Sequence, residues 1–530
     1  MNKTLLFKNK TSLVLLATMV WATSLTTLAS KSNTVTFHET TITSPYKLTQ
    51  EVITANILST KGKELVTFSV DDLGNRWLII YKLNKANQYV IAEKSIIPKQ
   101  FYRFDLSKAP SNYSLLDVGG TAKTELNNPL DEKIQTLYFI SANALFVYQN
   151  EQFKKLINFK SLYVQEQADL LSRGNFIQDL NNDLLDDVII AGFHETSIFI
   201  GQGLSIFAKQ MLPIKPNVRT FSAGATYTER KLYFADVNFD KKTDVFLIGE
   251  GEMIIYPQQG ASQFIKKPIH VNINEAISGI DWWDKRDESG EPLDQSHLEY
   301  RKLEALRDIN ADGITDMVIR YTKASGVLDR VNDYEIFLGK NNDKTLSYAQ
   351  TADSIIHAEG TLTDLVFVDI DNDEKLEVLL AGFDIGLSQI IGALVSGAID
   401  QDVYIFKMDE QDTFLTKPVI KKDVELTFSL SSGQSGSGVA KLADLNGDGL
   451  KELVLSNDDD ELKIYLGKKP GKNKKRFKRR SVRYNTKLPK EGKRVMVEDL
   501  NGDGKEDLLM KFSRLDGENK AKQIKILFSQ

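Results

Sequence analysis

The chain has 530 residues, no cysteine and a formal net charge of −5 at pH 7. Without cysteine it has no disulfide bonds, no thiolate zinc site and no cysteine nucleophile. The modest negative charge argues against a nucleic-acid-binding protein, and the length is enough to bury a large core without disulfide bonds.

The first 29 residues have the pattern of an export signal. Three lysines precede a mostly apolar run from Ser12 to Leu25, which suits a signal-peptide core and is short for a membrane span. Small residues at Thr27 and Ala29 favour cleavage after Ala29. An uncleaved anchor helix is the alternative. We therefore predict a signal peptide over 1–29, a periplasmic or secreted mature chain, and no transmembrane segment after cleavage.

A pattern rich in Asp and Asn recurs six times in the rest of the chain. Each copy has oxygen-bearing side chains at positions 1, 3, 5 and 9, and then an apolar run that predicts a buried strand. The copies are DLNNDLLDDVII from Asp179, DVNFDKKTDVFL from Asp236, DINADGITDMVI from Asp308, DIDNDEKLEVLL from Asp369, DLNGDGLKELVL from Asp444 and DLNGDGKEDLLM from Asp499. We call positions 1–9 of these copies the Asp loops, first to sixth.

A second apolar run follows each Asp loop, as SIFIG, MIIYP, YEIFLG, VYIFK, LKIYLG and IKILF. Two similar runs lie upstream without a loop, WLIIYKL at 77–83 and ALFVYQ at 144–149. Together they make eight candidate third strands. Repeats of roughly 60 residues that cannot bury both faces of their own sheet must stack on their neighbours, which favours a radial arrangement.

The chain ends two strands after the sixth Asp loop, so the last blade lacks an outer strand. The segment TVTFHETTI at 34–42 is predicted to fill that place and to remove an exposed sheet edge. We predict an all-β propeller of eight four-stranded blades over 30–530, with seven as the alternative. Blades 1 and 2, at about 45–170, would have no metal loop, and the blades with Asp loops would cover 171–530.

The Asp loops have the chemistry of a calcium site. Carboxylate and amide oxygens are the hard ligands that Ca²⁺ prefers, and a backbone carbonyl at position 7 can add to them. An EF-hand would require a Glu at position 12, but that position is apolar in every copy. The residues there are Ile190, Leu247, Ile319, Leu380, Leu455 and Met510.

These loops resemble the FG-GAP (or VCBS) repeats of integrin α-chain propellers and of exported bacterial proteins. The resemblance covers roughly residues 175–530, and more loosely the chain from residue 33. It implies a loop between the first two strands of a blade, with calcium bound through positions 1, 3, 5, 7 and 9. In the three loops with Gly at position 6, the implied ligands are Asp308, Asn310, Asp312, the Ile314 carbonyl and Asp316; Asp444, Asn446, Asp448, the Leu450 carbonyl and Glu452; and Asp499, Asn501, Asp503, the Lys505 carbonyl and Asp507.

The other three loops depart from the pattern at position 6, where they have Glu374, Leu184 and Lys241. Their implied ligands are Asp369, Asp371, Asp373, Lys375 and Glu377; Asp179, Asn181, Asp183 and Asp187; and Asp236, Asn238, Asp240 and Asp244. We expect several structural Ca²⁺ ions, first in the third and sixth loops, then in the fifth, fourth, first and second. A metal-free Asx turn is the alternative at each loop.

Three further segments stand out. The basic stretch 468–483 is expected to be a solvated loop, with binding of an anionic polysaccharide or an acidic partner as the alternative. Trp282 and Trp283 are expected to anchor the insertion 281–300 by burial, with sugar stacking as the alternative. The apolar insertion 383–400 is expected to pack on the propeller, with a partner-binding patch as the alternative.

The sequence contains no HExxH, GxSxG, P-loop or dinucleotide motif, so no catalytic residue and no organic cofactor are assigned. We expect an exported calcium-binding propeller that acts as a binding, adhesion or protein-interaction scaffold. Its ligand would be an unknown protein or polysaccharide and not a nucleic acid. The alternatives are a carbohydrate-active enzyme, such as a polysaccharide lyase or hydrolase, and a structural subunit of an envelope or adhesion complex.

Overall fold

The computed structural model describes residues 34–58, 60–107, 135–163, 171–202, 207–221, 224–260, 262–287, 290–294, 296–324, 330–358, 361–383, 398–429, 434–435, 437–469 and 476–530. The predicted signal peptide over 1–29 lies outside these residues. So does most of the insertion 383–400, which leaves its predicted packing a prediction.

The strands form eight small antiparallel sheets arranged as an eight-bladed β-propeller, so the predicted fold is confirmed and seven blades are excluded. In the first seven blades the strands pair in chain order. Blade 1 has Lys47–Leu48 and Ile53–Ala55, both paired with Glu64–Val70, then Arg76–Leu83 and Tyr89–Ile97. Blade 2 has Arg103–Leu106, Leu137–Ile140, Ala144–Gln149 and Gln152–Asn158, with Ser172–Arg173 parallel to its first strand. Blade 3 has Ile177–Gln178, Asp187–Ala191, Thr196–Gly201 and Phe207–Leu212, and blade 4 has Tyr233–Ala235, Asp244–Ile248, Glu252–Tyr256 and Ile269–Asn272.

The later blades follow the same plan. Blade 5 has Glu299–Arg307, Asp316–Ala324, Arg330–Phe337 and Ser354–Ile356, with Ile277–Ser278 parallel to its first strand. Blade 6 has Thr361–Val368, Glu377–Phe383, Ala398–Phe406 and Ile420–Ser429, extended by Gln434–Ser435, and blade 7 has Ala440–Ala443, Glu452–Asn457, Glu461–Tyr465 and Val482–Asn485. Blade 8 has Val495–Glu498, Asp507–Lys511, Gln523–Ser529 and Phe37–Thr43.

Short hairpins and 3-10 turns decorate the connections. The hairpins are Asn217–Phe221 with Gly224–Thr228, Gln258–Gln259 with Gln263–Phe264, and Lys340–Asn342 with Thr345–Ser347. The 3-10 turns are Gly492–Arg494, Arg514–Asp516 and Glu518–Lys522. Across the described ranges, no helix is long and apolar enough to cross a membrane.

An N-terminal strand closes the ring, as predicted. Phe37–Thr43 pairs antiparallel with Gln523–Ser529, from Phe37 opposite Ser529 to Thr43 opposite Gln523. Blade 8 is therefore built from both ends of the described chain, and its third strand is covered on both sides.

The core lies between adjacent blades. Phe246 and Ile255 of blade 4 pack in one buried cluster with Met317 and Phe337 of blade 5, and each of the four is at most 2% exposed. Because each sheet covers a face of the next, no blade has to bury its own surface alone.

Candidate metal loops

All six Asp loops occupy the same place in the fold, the turn between the first and second strands of blades 3 to 8. Position 1 directly follows the first strand, and position 9 is the first residue of the second strand. In blade 5, for example, Asp308 follows Arg307 and Asp316 opens the next strand. The strand ends therefore set the spacing of the outermost carboxylates.

Each loop is held by the same hydrogen bonds. In the third loop, the Gly313 N–H donates to Asp308 Oδ2 at 2.9 Å, and the Ile314 N–H donates to Asp312 Oδ1 at 2.8 Å. The corresponding bonds, from position 6 to position 1 and from position 7 to position 5, are present in the five other loops. The turn is therefore held by backbone N–H groups that donate to the carboxylates at positions 1 and 5, and it does not depend on glycine at position 6.

The backbone is left-handed at positions 4 and 6 of every loop. At position 6 the φ angle is 83° at Gly449 and Gly504, but also 69° at Glu374, 66° at Leu184 and 67° at Lys241. A residue with a Cβ pays about 1–2 kcal/mol for this conformation, whereas glycine does not. The residues other than glycine at position 6 thus add backbone strain but do not change the conformation of the turn.

This strain gives a direct test in the fourth loop. We expect Glu374→Gly to be about 1 kcal/mol more stable than Glu374→Ala, because both variants remove an exposed carboxylate and only glycine relieves the left-handed strain. Denaturant unfolding of the two variants measures the difference. Equal stability would mean that the residue at position 6 is not strained.

The carboxyl group at position 9 is buried in every loop. Asp316 is fully buried; it accepts the Ile309 N–H of its own loop and the Gly339 N–H from the end of the third strand, both at 2.8 Å. Four other loops repeat this pair of bonds, at Asp187, Asp244, Glu452 and Asp507. Position 9 therefore fastens the loop to the third strand of its blade.

The negative charge of these buried carboxyl groups is only partly compensated by their hydrogen bonds. Burial, together with the nearby Asp312 and Asp308 carboxylates, raises the pKa of Asp316 to about 7, although two backbone N–H groups oppose this shift. The same causes raise the pKa of Asp507 to about 7, with Asp503 and Asp499 as the neighbours. A bound cation would supply the positive charge that the backbone donors supply only in part.

The third loop also has a buried oxygen without a partner. Asp308 Oδ1 is buried and has no hydrogen-bond partner of normal geometry. Within the described residues, no basic side chain lies within 4.0 Å of the carboxylates at positions 1, 5 and 9 of the third, fifth and sixth loops; Glu506, at position 8 of the sixth loop, pairs with Lys451 at 2.7 Å. An unsatisfied carboxylate oxygen beside two other acidic groups is what a hard divalent cation fits. The residues of the third loop therefore fit calcium, and the fifth and sixth loops share its pattern of acids at positions 1, 5 and 9.

The fourth loop is different, because basic side chains lie against its acids. The Lys407 ammonium lies 3.0 Å from Asp371 Oδ2, 2.9 Å from Asp373 Oδ2 and 3.1 Å from Glu377 Oε1. Burial alone would lower the pKa of Lys407, but the hydrogen bonds to Asp373 and Asp371 and the charge of Glu377 raise it to about 12. Arg476 also pairs with Asp371. In the second loop, Lys242 pairs with Asp240, at 3.0 Å.

Two of the other predicted features take part in packing. In the basic stretch 468–483, Phe477 is buried between blades 6 and 7, and the Lys468 N–H bonds the Arg476 carbonyl. Trp282 packs against a small cluster that contains Tyr300, whereas Trp283 is 48% exposed. The expected anchoring by burial therefore describes Trp282 and not Trp283.

Sequence comparison agrees with the fold. The chain is an eight-bladed β-propeller with acidic loops in six blades, and the FG-GAP-like repeat family matches residues 444–510, which span the fifth and sixth loops. The predicted resemblance to FG-GAP β-propellers is thus confirmed. A search of the curated proteins found no match.

The solved structures that match this chain are distant from it in sequence. An Agrocybe aegerita lectin that recognises terminal N-acetylglucosamine is 15% identical, covers 84% of this chain and 96% of its own, and has a TM-score of 0.38. The V. cholerae biofilm matrix protein Bap1 is 10% identical, with 81% and 88% coverage and a TM-score of 0.26. A hypothetical selenium-binding protein from Sulfolobus tokodaii is 11% identical, with 84% and 92% coverage and a TM-score of 0.28. Scores this low carry no information about ligands.

Proposed function

We propose that this protein is an exported, calcium-stabilised β-propeller that serves as a binding scaffold for a protein or polysaccharide. The observation that carries the calcium part is the buried Oδ1 of Asp308, which has no hydrogen-bond partner of normal geometry, in a loop whose acids have no basic neighbour among the described residues. Export is supported by the N-terminal leader pattern and by the FG-GAP-like repeats. The scaffold role is supported by the fold, which presents loops and insertions from rigid blades.

Calcium is expected to act by tying the first two strands of a blade together. When bound, the ion supplies positive charge and replaces water at the oxygens of positions 1, 3, 5, 7 and 9. The chain contributes a preformed backbone turn, so little conformational entropy has to be lost on binding. A ligand that binds only the folded state adds about 2.7 kcal/mol when its concentration is one hundred times its Kd.

We expect the mature chain to melt at a higher temperature in calcium than in a chelator, and to bind several ions in equilibrium dialysis. Asp503→Ala removes an exposed acid from the sixth loop and should reduce the number of bound ions by one. Asp72→Ala, at an exposed turn of blade 1, is the matched control and should leave the number unchanged. A wild-type chain that binds no calcium would overturn the metal part of the proposal.

Export and ligand binding need separate measurements. Mass spectrometry of the protein from fractionated cells should find a mature N-terminus at Ser30 outside the cytoplasm. A full-length N-terminus in the cytoplasm would contradict export. A glycan array and a pull-down with the mature chain, both in calcium, then separate a polysaccharide ligand from a protein partner.

A further inference from the structure

The fourth Asp loop differs from the others in the residue that faces position 9 across the sheet. The pairing of Val378 with Phe406 places Lys407 opposite Glu377. The same register position in the other five blades is apolar: Ile200, Pro257, Leu338, Leu466 and Phe528. In those blades the residue that follows it donates its backbone N–H to position 9. Blade 6 is therefore the one Asp-loop blade that aims a cation from the third strand into its loop.

Lys407 contacts three of the five acidic side chains of its loop. Its Nζ lies 2.9–3.1 Å from an oxygen of Asp371, Asp373 and Glu377, which stand at positions 3, 5 and 9. An ammonium group has three donors, so three carboxylates satisfy it fully. A metal ion coordinated by the same oxygens at about 2.3–2.6 Å would have to occupy the space that Nζ holds.

The acids of the loop match this arrangement. Position 3 is Asp371 here and Asn in the other five loops, so at positions 1, 3, 5 and 9 the fourth loop has one more carboxylate than each of them. The extra carboxylate pairs with Lys407 and with Arg476, which comes from the connection between the third and fourth strands of blade 7. Asp369, Asp371 and Asp373 offer oxygens within 4.8 Å of one another. The Lys407 ammonium bridges Asp371 and Asp373, two of these three residues.

We propose that the Lys407 side chain takes the place of the metal ion in the fourth Asp loop, so that blade 6 keeps its loop ordered without calcium. Arg476 extends the ion-pair network to blade 7. The inference rests on the proposed function, because it assumes that the loops without such a lysine bind calcium. It also assigns a structural role to one residue of the basic stretch 468–483.

Two changes to the fourth loop test the replacement of the ion by Lys407: one removes a predicted metal ligand, and the other removes the lysine. Asp369→Ala removes position 1 of the fourth loop and should leave the number of bound ions unchanged in equilibrium dialysis, whereas Asp499→Ala in the sixth loop should lower it by one. The double variant K407L/D371N gives the fourth loop the residues found in the fifth, Asn at position 3 and Leu across from position 9, and should bind one ion more than wild type. Lys421→Leu, which removes the exposed partner of Asp402 in the same blade, is the control and should change nothing.

Hydrogen exchange gives a second measurement that needs no variant. In chelator, the backbone amides of 370–377 should stay as protected as they are in calcium, while those of 309–316 and 500–507 should lose protection. Loss of one ion in Asp369→Ala, or calcium-dependent protection at 370–377, would overturn the inference while leaving the calcium proposal intact. If the wild-type chain binds no ion, the calcium proposal itself fails. Ion binding by the wild-type chain is therefore measured before any variant is tested.

Discussion

Replacing Asp316 with alanine is expected to lower the free energy of unfolding by about 2–6 kcal/mol, even in chelator. Its carboxyl group is fully buried and accepts the Ile309 and Gly339 N–H groups at 2.8 Å. Alanine leaves both donors buried without a partner, and each such donor costs about 1–3 kcal/mol. Asp316→Asn keeps one acceptor oxygen, so its free energy of unfolding should lie between those of the wild type and of Asp316→Ala. Denaturant unfolding in chelator measures these losses.

The control for this prediction lies in the same loop. Asp312 is exposed and accepts only local bonds, from the Ile314 N–H and the Asn310 side chain. In chelator Asp312→Ala should therefore cost less than about 1 kcal/mol. In calcium both variants should also lose the stabilisation that the ion gives to this loop. Equal losses for the two variants in chelator would show that position 9 has no structural role apart from the metal.

The architecture was predictable because short, local sequence patterns determine it. Eight runs such as ALFVYQ at 144–149 each became a third strand, and the chain ended where one strand was still needed. Buried strands have to be apolar on both faces, so they stand out between polar loops. The segment at 34–42 could be placed in blade 8 because an unpaired edge has to be covered.

The interior of the loops was harder to predict. From the sequence, position 9 was predicted only as a metal ligand. In the structure its carboxyl group also accepts two backbone N–H groups, such as those of Ile309 and Gly339 at Asp316, and the fold brings these donors together. Four loops signal the left-handed backbone at position 4 by Asn or Gly there, but the second and third loops have Phe239 and Ala311 and give no such signal. Side-chain identity does not show a conformation that the surrounding strands impose.

The Lys407 contact was missed for a different reason. The third-strand run VYIFK ends in lysine where the other runs end in residues without a charge, and this was the available signal. Its meaning depends on the strand register, which places Lys407 opposite Glu377 and not one residue away. A slip of one residue would point the side chain to the other face of the sheet. Arg476 approaches from the next blade, so only the stacking of blades brings it to Asp371.

Deleting the closing strand is expected to have the second large effect. A chain that starts at Ser44 lacks the strand Phe37–Thr43, including Ile42, and the preceding Val35; Val35 and Ile42 are 4% and 8% exposed. Losing a buried aliphatic side chain costs about 2–5 kcal/mol, so the loss of both should lower the free energy of unfolding by at least about 4 kcal/mol. The hydrogen bonds to Gln523–Ser529 are lost as well. Thermal unfolding against a reference chain that starts at Thr34 measures the difference.

The truncated chain should also change its state of association. Without Phe37–Thr43, the third strand of blade 8 becomes a sheet edge with unpaired backbone groups, and such edges pair with other chains. Light scattering should therefore detect dimers or larger species that the reference chain does not form. A synthetic peptide of residues 34–43 should restore the melting temperature and the association state of the reference chain, because it can supply the missing strand in the same register, whereas a scrambled peptide should not. If the truncated chain has the same melting temperature as the reference chain and the peptide does not raise it, then the propeller is stable without the N-terminal strand, which only covers the sheet edge.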